Sequence, residues 1–109
     1  MAHYKSPNPD GDKPIRLMLD ISTAHLPEKY GNEQSDESLD TMSGVIVDSL
    51  ETGFLMWVPE VPEEYALGFL TPVPPEILTV QEYARELCCD YVRFDRDADI
   101  VDDLPTWDW

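Results

Sequence analysis

The sequence predicts an α+β domain, a mainly antiparallel sheet of about four strands with one main helix packed on one face. Three observations carry that prediction. Short apolar runs stand at residues 15–21, 45–50, 54–58 and 91–94, with the period-two alternation of half-buried strands clearest in the first and last. One stretch alone has a helical period, with Val80, Tyr83, Ala84, Leu87 and Cys88 at i, i+3, i+4, i+7 and i+8. Glycine and proline punctuate the remainder, and most of the ten prolines fall outside the helix and strands.

At 109 residues there is room for one domain and one modest core. Residues 1–13 are polar, hold two prolines and a glycine, and read as a flexible N-terminal tail. Residues 14–109 form the single α+β domain, ending in an acidic C-terminal tail.

Ile15, Leu17, Leu19 and Ile21 alternate with Arg16, Met18 and Asp20 as a first strand. After Pro27, Glu28, Lys29, Tyr30 and Gly31 form at most a short helical turn, with Ser22 or Thr23 as its cap. Residues 32–43 (NEQSDESLDTMS) are acidic, lack an apolar period and read as an exposed loop. Gly44 opens a second strand, and Glu51-Thr52-Gly53 leads into the third, so these two form a hairpin in which glycine supplies the positive φ of a short return. Pro59 ends the third strand. Residues 59–75 hold five prolines, the carboxylates Glu60, Glu63 and Glu64, and an apolar patch, as an edge strand or a packed loop. The helix begins at a Thr79/Glu82 capping box or one turn earlier at Pro75-Glu76. Gln81, Glu82, Arg85 and Glu86 fall on its outer side, and Val92 and Phe94 point inward from the strand that follows.

Charge is the extreme feature: 23 Asp+Glu against 7 Lys+Arg give a formal net charge of -16. Such a chain repels nucleic acid and anionic membrane, and the excess carboxylate suits a basic partner or serves solubility. The fifteen residues 95–109 carry six aspartates against one arginine. Two adjacent cysteines, Cys88 and Cys89, make no disulfide framework and read as reduced thiols, Cys88 toward the core and Cys89 partly exposed. With no apolar leader and no membrane span, the cytoplasm is the expected compartment.

Catalytic and metal signatures fail on inspection. Asp95, Asp97 and Asp99 open like a calcium loop, yet Ile100 and Thr106 occupy the positions that need glycine and a bidentate glutamate. His25 lies near Ser22 and Thr23 without a second ligand and reads as a structural histidine. The cysteines lack zinc spacing, and neither a phosphate-binding glycine loop nor a nucleophile elbow is present. No cofactor and no metal are expected.

What remains is a binding surface. In an extended segment alternate residues are ~7 Å apart, so Asp95, Asp97 and Asp99 would space charge much as successive phosphates along one strand do. Asp102, Asp103 and Asp108 extend the row, and Glu60, Glu63 and Glu64 add to the acidic surface. Trp107 and Trp109 pack the tail to the body or enter a partner.

Leu19-Asp20-Ile21-Ser22-Thr23-Ala24-His25-Leu26-Pro27, the GFLMWVP run of residues 53–59, Tyr83-Ala84-Arg85, Cys89-Asp90-Tyr91-Val92, Phe94-Asp95-Arg96-Asp97-Ala98 and Leu104-Pro105 with Trp109 carry a resemblance. Over residues 14–109 the chain resembles a family of small acidic proteins encoded by phages, plasmids and related mobile elements. That family implies no catalytic residues. Its members are similar in kind to anti-CRISPR and anti-restriction inhibitors, some of which mimic DNA.

The expected function is therefore a non-enzymatic inhibitor of a host defence complex, of the anti-CRISPR type, acting as a DNA mimic in the bacterial cytoplasm. Its partner is the basic DNA-binding surface of a host nuclease or CRISPR effector, with no direct nucleic acid contact and no membrane. The alternatives are a metal-dependent or hydrolytic accessory enzyme using His25 and the tail aspartates, and a structural or regulatory binding module. The sequence does not specify an oligomeric state.

Overall fold

Strands β1 (Met18–Ser22), β2 (Val47–Leu50), β3 (Gly53–Trp57) and β4 (Tyr91–Asp95) form one sheet in the order β1-β4-β3-β2. The computed structural model describes residues 15–32, 34–42, 44–59 and 73–109. The expected N-terminal tail at 1–13, the connection at 60–72 and Glu60, Glu63 and Glu64 lie outside the described residues.

The sheet is mixed, and the antiparallel expectation holds for two of its three strand pairs. β2/β3 and β3/β4 are antiparallel, but β1 lies parallel to β4, with Leu19 opposite Val92 and Ile21 opposite Phe94. Alternation decides which side chains face the core and says nothing about the relative direction of strands so far apart in sequence. Asp90 fixes the pairing at the entry to β4. Its carboxylate accepts from Leu17 N–H at 3.0 Å, its own N–H donates to Leu17 O at 2.8 Å, and its carbonyl accepts from Val58 N–H at 2.9 Å.

The hairpin forms as its sequence predicts, although its glycine has another task. A Cβ on Gly53 would stand 1.7 Å from the Phe94 carbonyl oxygen, so Gly53 is required by the close approach of β4. The positive φ belongs to Gly44, at 94°, ahead of β2.

Beyond β1, Ser22 Oγ accepts from Ala24 N–H and starts a 3₁₀ turn, Thr23–His25, followed by the single-turn helix α1 (Glu28–Gly31). The acidic segment after it is not a wholly exposed loop. Leu39, in the 3₁₀ turn Leu39–Thr41, is fully buried and Ser38 nearly so. Asp40 binds the segment to the hairpin by accepting from the hydroxyls of Ser38 and, at 2.9 Å, Ser49. A lone leucine gives no periodic signal, which is why the segment reads as loop in sequence.

Helix α2 (Pro75–Glu86) takes the earlier of the two starts, with Pro75 at its first position. Thr79 lies inside it, donating from Oγ1 to Pro75 O at 2.9 Å. Ile77, Val80, Gln81 and Ala84 are its buried residues. Gln81, expected outside, is 2% exposed and donates to Met56 Sδ at 3.7 Å.

The helix stops at Glu86 because Cys88 turns left-handed, at φ 62°. Cys88 N–H then donates to Arg85 O and Cys89 N–H to Ala84 O, which closes the last turn in the manner usually left to glycine. This turn reverses two expectations. Leu87 leaves the periodic face and is 47% exposed, while Cys89 is buried and Cys88 is only half-buried. Tyr83 is half-buried and packs against the margin of the core rather than inside it.

The core lies between α2 and one face of the sheet, where Ile21, Phe54, Met56, Val92 and Phe94 meet Ile77, Val80 and Ala84, with Leu26, Tyr30, Leu39 and Leu104 closing its margins. Each such aliphatic or aromatic side chain contributes ~1.5–3 kcal/mol by leaving water.

Candidate functional site

The C-terminal tail is tied to the segment that follows β1 by five hydrogen bonds. Ser22 N–H donates to Asp99 O at 2.9 Å, and Trp107 N–H donates to Ala24 O at 2.9 Å. The Trp109 indole N–H donates to Leu26 O at 2.9 Å. Its ring covers Gly31, where a Cβ would meet Trp109 Cζ2 at 2.7 Å.

His25 supplies the other two bonds and is completely buried. Val101 N–H, which can only donate, lies 3.0 Å from Nε2, and Pro105 O, which can only accept, lies 2.9 Å from Nδ1. The ring is therefore the Nδ1–H tautomer, with both nitrogens engaged. It has no lone pair left for a metal or for a proton in catalysis, and its role is to fix the tail.

Asp95, expected at the head of a surface row, is 6% exposed. Its Oδ1 accepts from Asp97 N–H at 2.8 Å, and its Oδ2 accepts from Thr52 Oγ1 at 3.0 Å and from Arg93. The Asp97 amide, with Thr52 and Arg93 adding to it, holds this carboxyl below its ordinary value against the opposing effect of burial. Asp95 thus anchors a turn in which Ala98 N–H donates to Asp95 O at 3.1 Å. The turn breaks the extended row expected for Asp95, Asp97 and Asp99, because the chain folds back at Arg96 and Asp97.

The remaining tail carboxylates, Asp97, Asp99, Asp102, Asp103 and Asp108, are all exposed. Among the described residues both ion pairs belong to Arg93, with Asp20 at 3.8 Å and with Asp95. Arg85 is turned to Pro59 O at 3.1 Å, and Lys29 lies over the Tyr30 ring at 5.0 Å. No described cation neutralises the exposed tail aspartates through an ion pair.

Tyr83 brings the helix into the same surface, its hydroxyl donating to Asp103 Oδ2 at 3.1 Å. Burial and the Asp103 charge raise the Tyr83 pKa, so the hydroxyl keeps the proton it donates. Glu76, Thr79, Tyr83 and Glu86 follow one stripe of α2 by their 3-4-3 spacing, with Glu82 beside Tyr83. The helix thereby adds Glu82 and Glu86, both exposed, and half-buried Glu76 to the tail carboxylates. The helical period places Glu82 and Glu86 on the outer side of the helix, but it does not join them to the tail, which the Tyr83–Asp103 contact does.

The profile of the family of unknown function DUF5983, C-terminal domain, matches residues 18–109. The chain belongs to that family. The DUF5983 match takes in the four strands, α2 and the tail with its anchors. No curated protein and no solved structure matches the chain.

Elsewhere the DUF5983 domain has a shallow cleft of about 160 Å³, lined by Thr23, Gly31, Thr52, Phe54, Arg96 and Trp109 among others, with Glu51 as its carboxylate. Cys89 is buried, and burial first, then the Asp90 charge, pushes its pKa up, which disfavours the thiolate. Among the described residues no three His, Cys, Asp or Glu side chains converge as metal ligands, and no helix is long and apolar enough to cross a membrane.

Proposed function

We propose that this DUF5983 member is a non-enzymatic inhibitor that occupies a basic DNA-binding groove on a host defence complex, most directly a CRISPR effector, as a DNA mimic. One observation carries the reading: among the described residues no cation forms an ion pair with the exposed tail aspartates, which stand on backbone fixed by His25, Trp107 and Trp109. A fixed array has less conformational freedom to lose on binding than a mobile acidic tail.

The mimicking surface is the combination of α2 and the tail. Glu76 and Glu86 are ten positions apart, so at ~1.5 Å per residue they span about 15 Å of helix axis. Asp103 is held between them by Tyr83. Lys and Arg side chains that line a DNA groove meet carboxylates in place of phosphates, and electrostatic steering makes the encounter fast and salt-sensitive. The inhibitor works in the bacterial cytoplasm, where such effectors act.

Competition tests the proposal. The protein, added to an effector holding labelled duplex DNA, releases the DNA. Retention of all the DNA at excess protein, across CRISPR effectors and restriction nucleases, overturns it.

A further inference from the structure

The second face of the sheet, opposite α2, carries an apolar strip with acidic ends, and we infer that it docks a basic amphipathic helix of a partner protein. Register places Met18, Tyr91 and Trp57 in one row across β1, β4 and β3. Ile46 continues the row, its carbonyl accepting from Trp57 N–H at 2.9 Å. The adjoining row is Asp20, Arg93, Leu55 and Asp48. Met18 is 45% and Ile46 54% exposed, and neither they nor Leu55 belong to the residues packed on the core.

A solvated sheet face ordinarily alternates to polar residues, so apolar side chains at these positions require another reason. A DNA-like surface does not require them either. They suit the apolar side of a helix laid across the strands.

The dimensions and charges select the occupant. Four strands ~4.8 Å apart make a row about 14 Å long, matched by about ten residues of helix at ~1.5 Å each. Asp20 and Asp48, both exposed, stand at the two ends of the second row. Arg93, between them, is already engaged by Asp95 and lies 3.8 Å from Asp20. A helix with lysine or arginine near each end and leucine-like side chains between them complements this pattern, whereas an acidic one, or a second copy of this chain at -16, is repelled.

The test uses a leucine–lysine amphipathic helical peptide of about fourteen residues, with a leucine–glutamate peptide and an oligolysine as controls, and amide chemical shifts as the readout. Expected are shifts at Met18, Ile46, Leu55 and Tyr91. Met18→Ser with Ile46→Ser weakens the peptide about tenfold, and the fold tolerates both because the side chains are half exposed. Asp20→Asn with Asp48→Asn flattens the salt dependence. Shifts confined to Asp97–Asp108 and Glu82–Glu86, equal binding of oligolysine, or equal binding of the leucine–glutamate peptide each overturn the inference. It does not rest on DNA mimicry, and a failed DNA competition leaves these outcomes unchanged.

Discussion

The Tyr83 hydroxyl donates to the Asp103 carboxylate across 3.1 Å, and that contact joins the exposed stripe of the main helix to the acidic tail. Tyr83→Phe removes only the donor. The expected loss of stability is about 1 kcal/mol or less, because the bond is near the surface. Urea unfolding measures it, while faster amide exchange at Asp103 and Leu104 reports the loosened tail.

His25 has a larger effect. His25→Ala leaves Val101 N–H and Pro105 O without their partner at part-buried positions and opens a cavity where the buried ring stood. Together these destabilise the protein by about 3 kcal/mol. Tryptophan emission should shift to the red as Trp107 and Trp109 lose their seats, and amide exchange at Trp107 should rise. An unchanged urea midpoint would show that His25 does not hold the tail.

Gly53→Ala tests the contact between hairpin and β4. With a Cβ 1.7 Å from the Phe94 carbonyl oxygen the strands must separate, at a cost above ~3 kcal/mol. Circular dichroism and urea unfolding check this. Gly31→Ala is milder: its Cβ would stand 2.7 Å from the Trp109 ring, which can swing away, and 3.2 Å from Leu26 Cβ, which needs a smaller shift.

The hairpin, the inward faces of β1 and β4, the structural histidine and the main helix were legible because periodicity, turn residues and spacing are local signals. The parallel β1/β4 pair was not, because strand direction depends on a path through most of the chain. Cys88 and Cys89 exchanged places because the left-handed residue at the helix end is a cysteine where glycine is the usual marker. The burial of Asp95 was hidden for a related reason: its partner Thr52 meets it only after β3 and β4 pair. The exposed aspartates could be read from composition, and the turn that spaces them could not.

Acid stability separates Asp95 from the other carboxylates. Its folded pKa is depressed below the ordinary 3.8, so its contribution is full above that value and is lost as pH falls through the lower, folded one. Asp40 is depressed in the same direction by Ser38 and Ser49. Protonation of the unpaired carboxylates acts oppositely by relieving self-repulsion. The urea midpoint should therefore rise on mild acidification and fall below about pH 3.8. Asp95→Asn should lower the midpoint at neutral pH and shrink the acid-side fall; an equal fall in the variant would remove Asp95 as its cause.

The most direct measurement of the central claim is fluorescence anisotropy of labelled duplex DNA on a CRISPR effector, titrated with the protein and with its Asp97→Asn/Asp99→Asn/Asp102→Asn/Asp103→Asn/Asp108→Asn variant. DNA mimicry predicts displacement by the parent protein, weakening steeply with salt, and an affinity loss of at least about tenfold in the variant with the fold intact. Equal displacement by parent and variant, or DNA retained on every effector at excess protein, would contradict it.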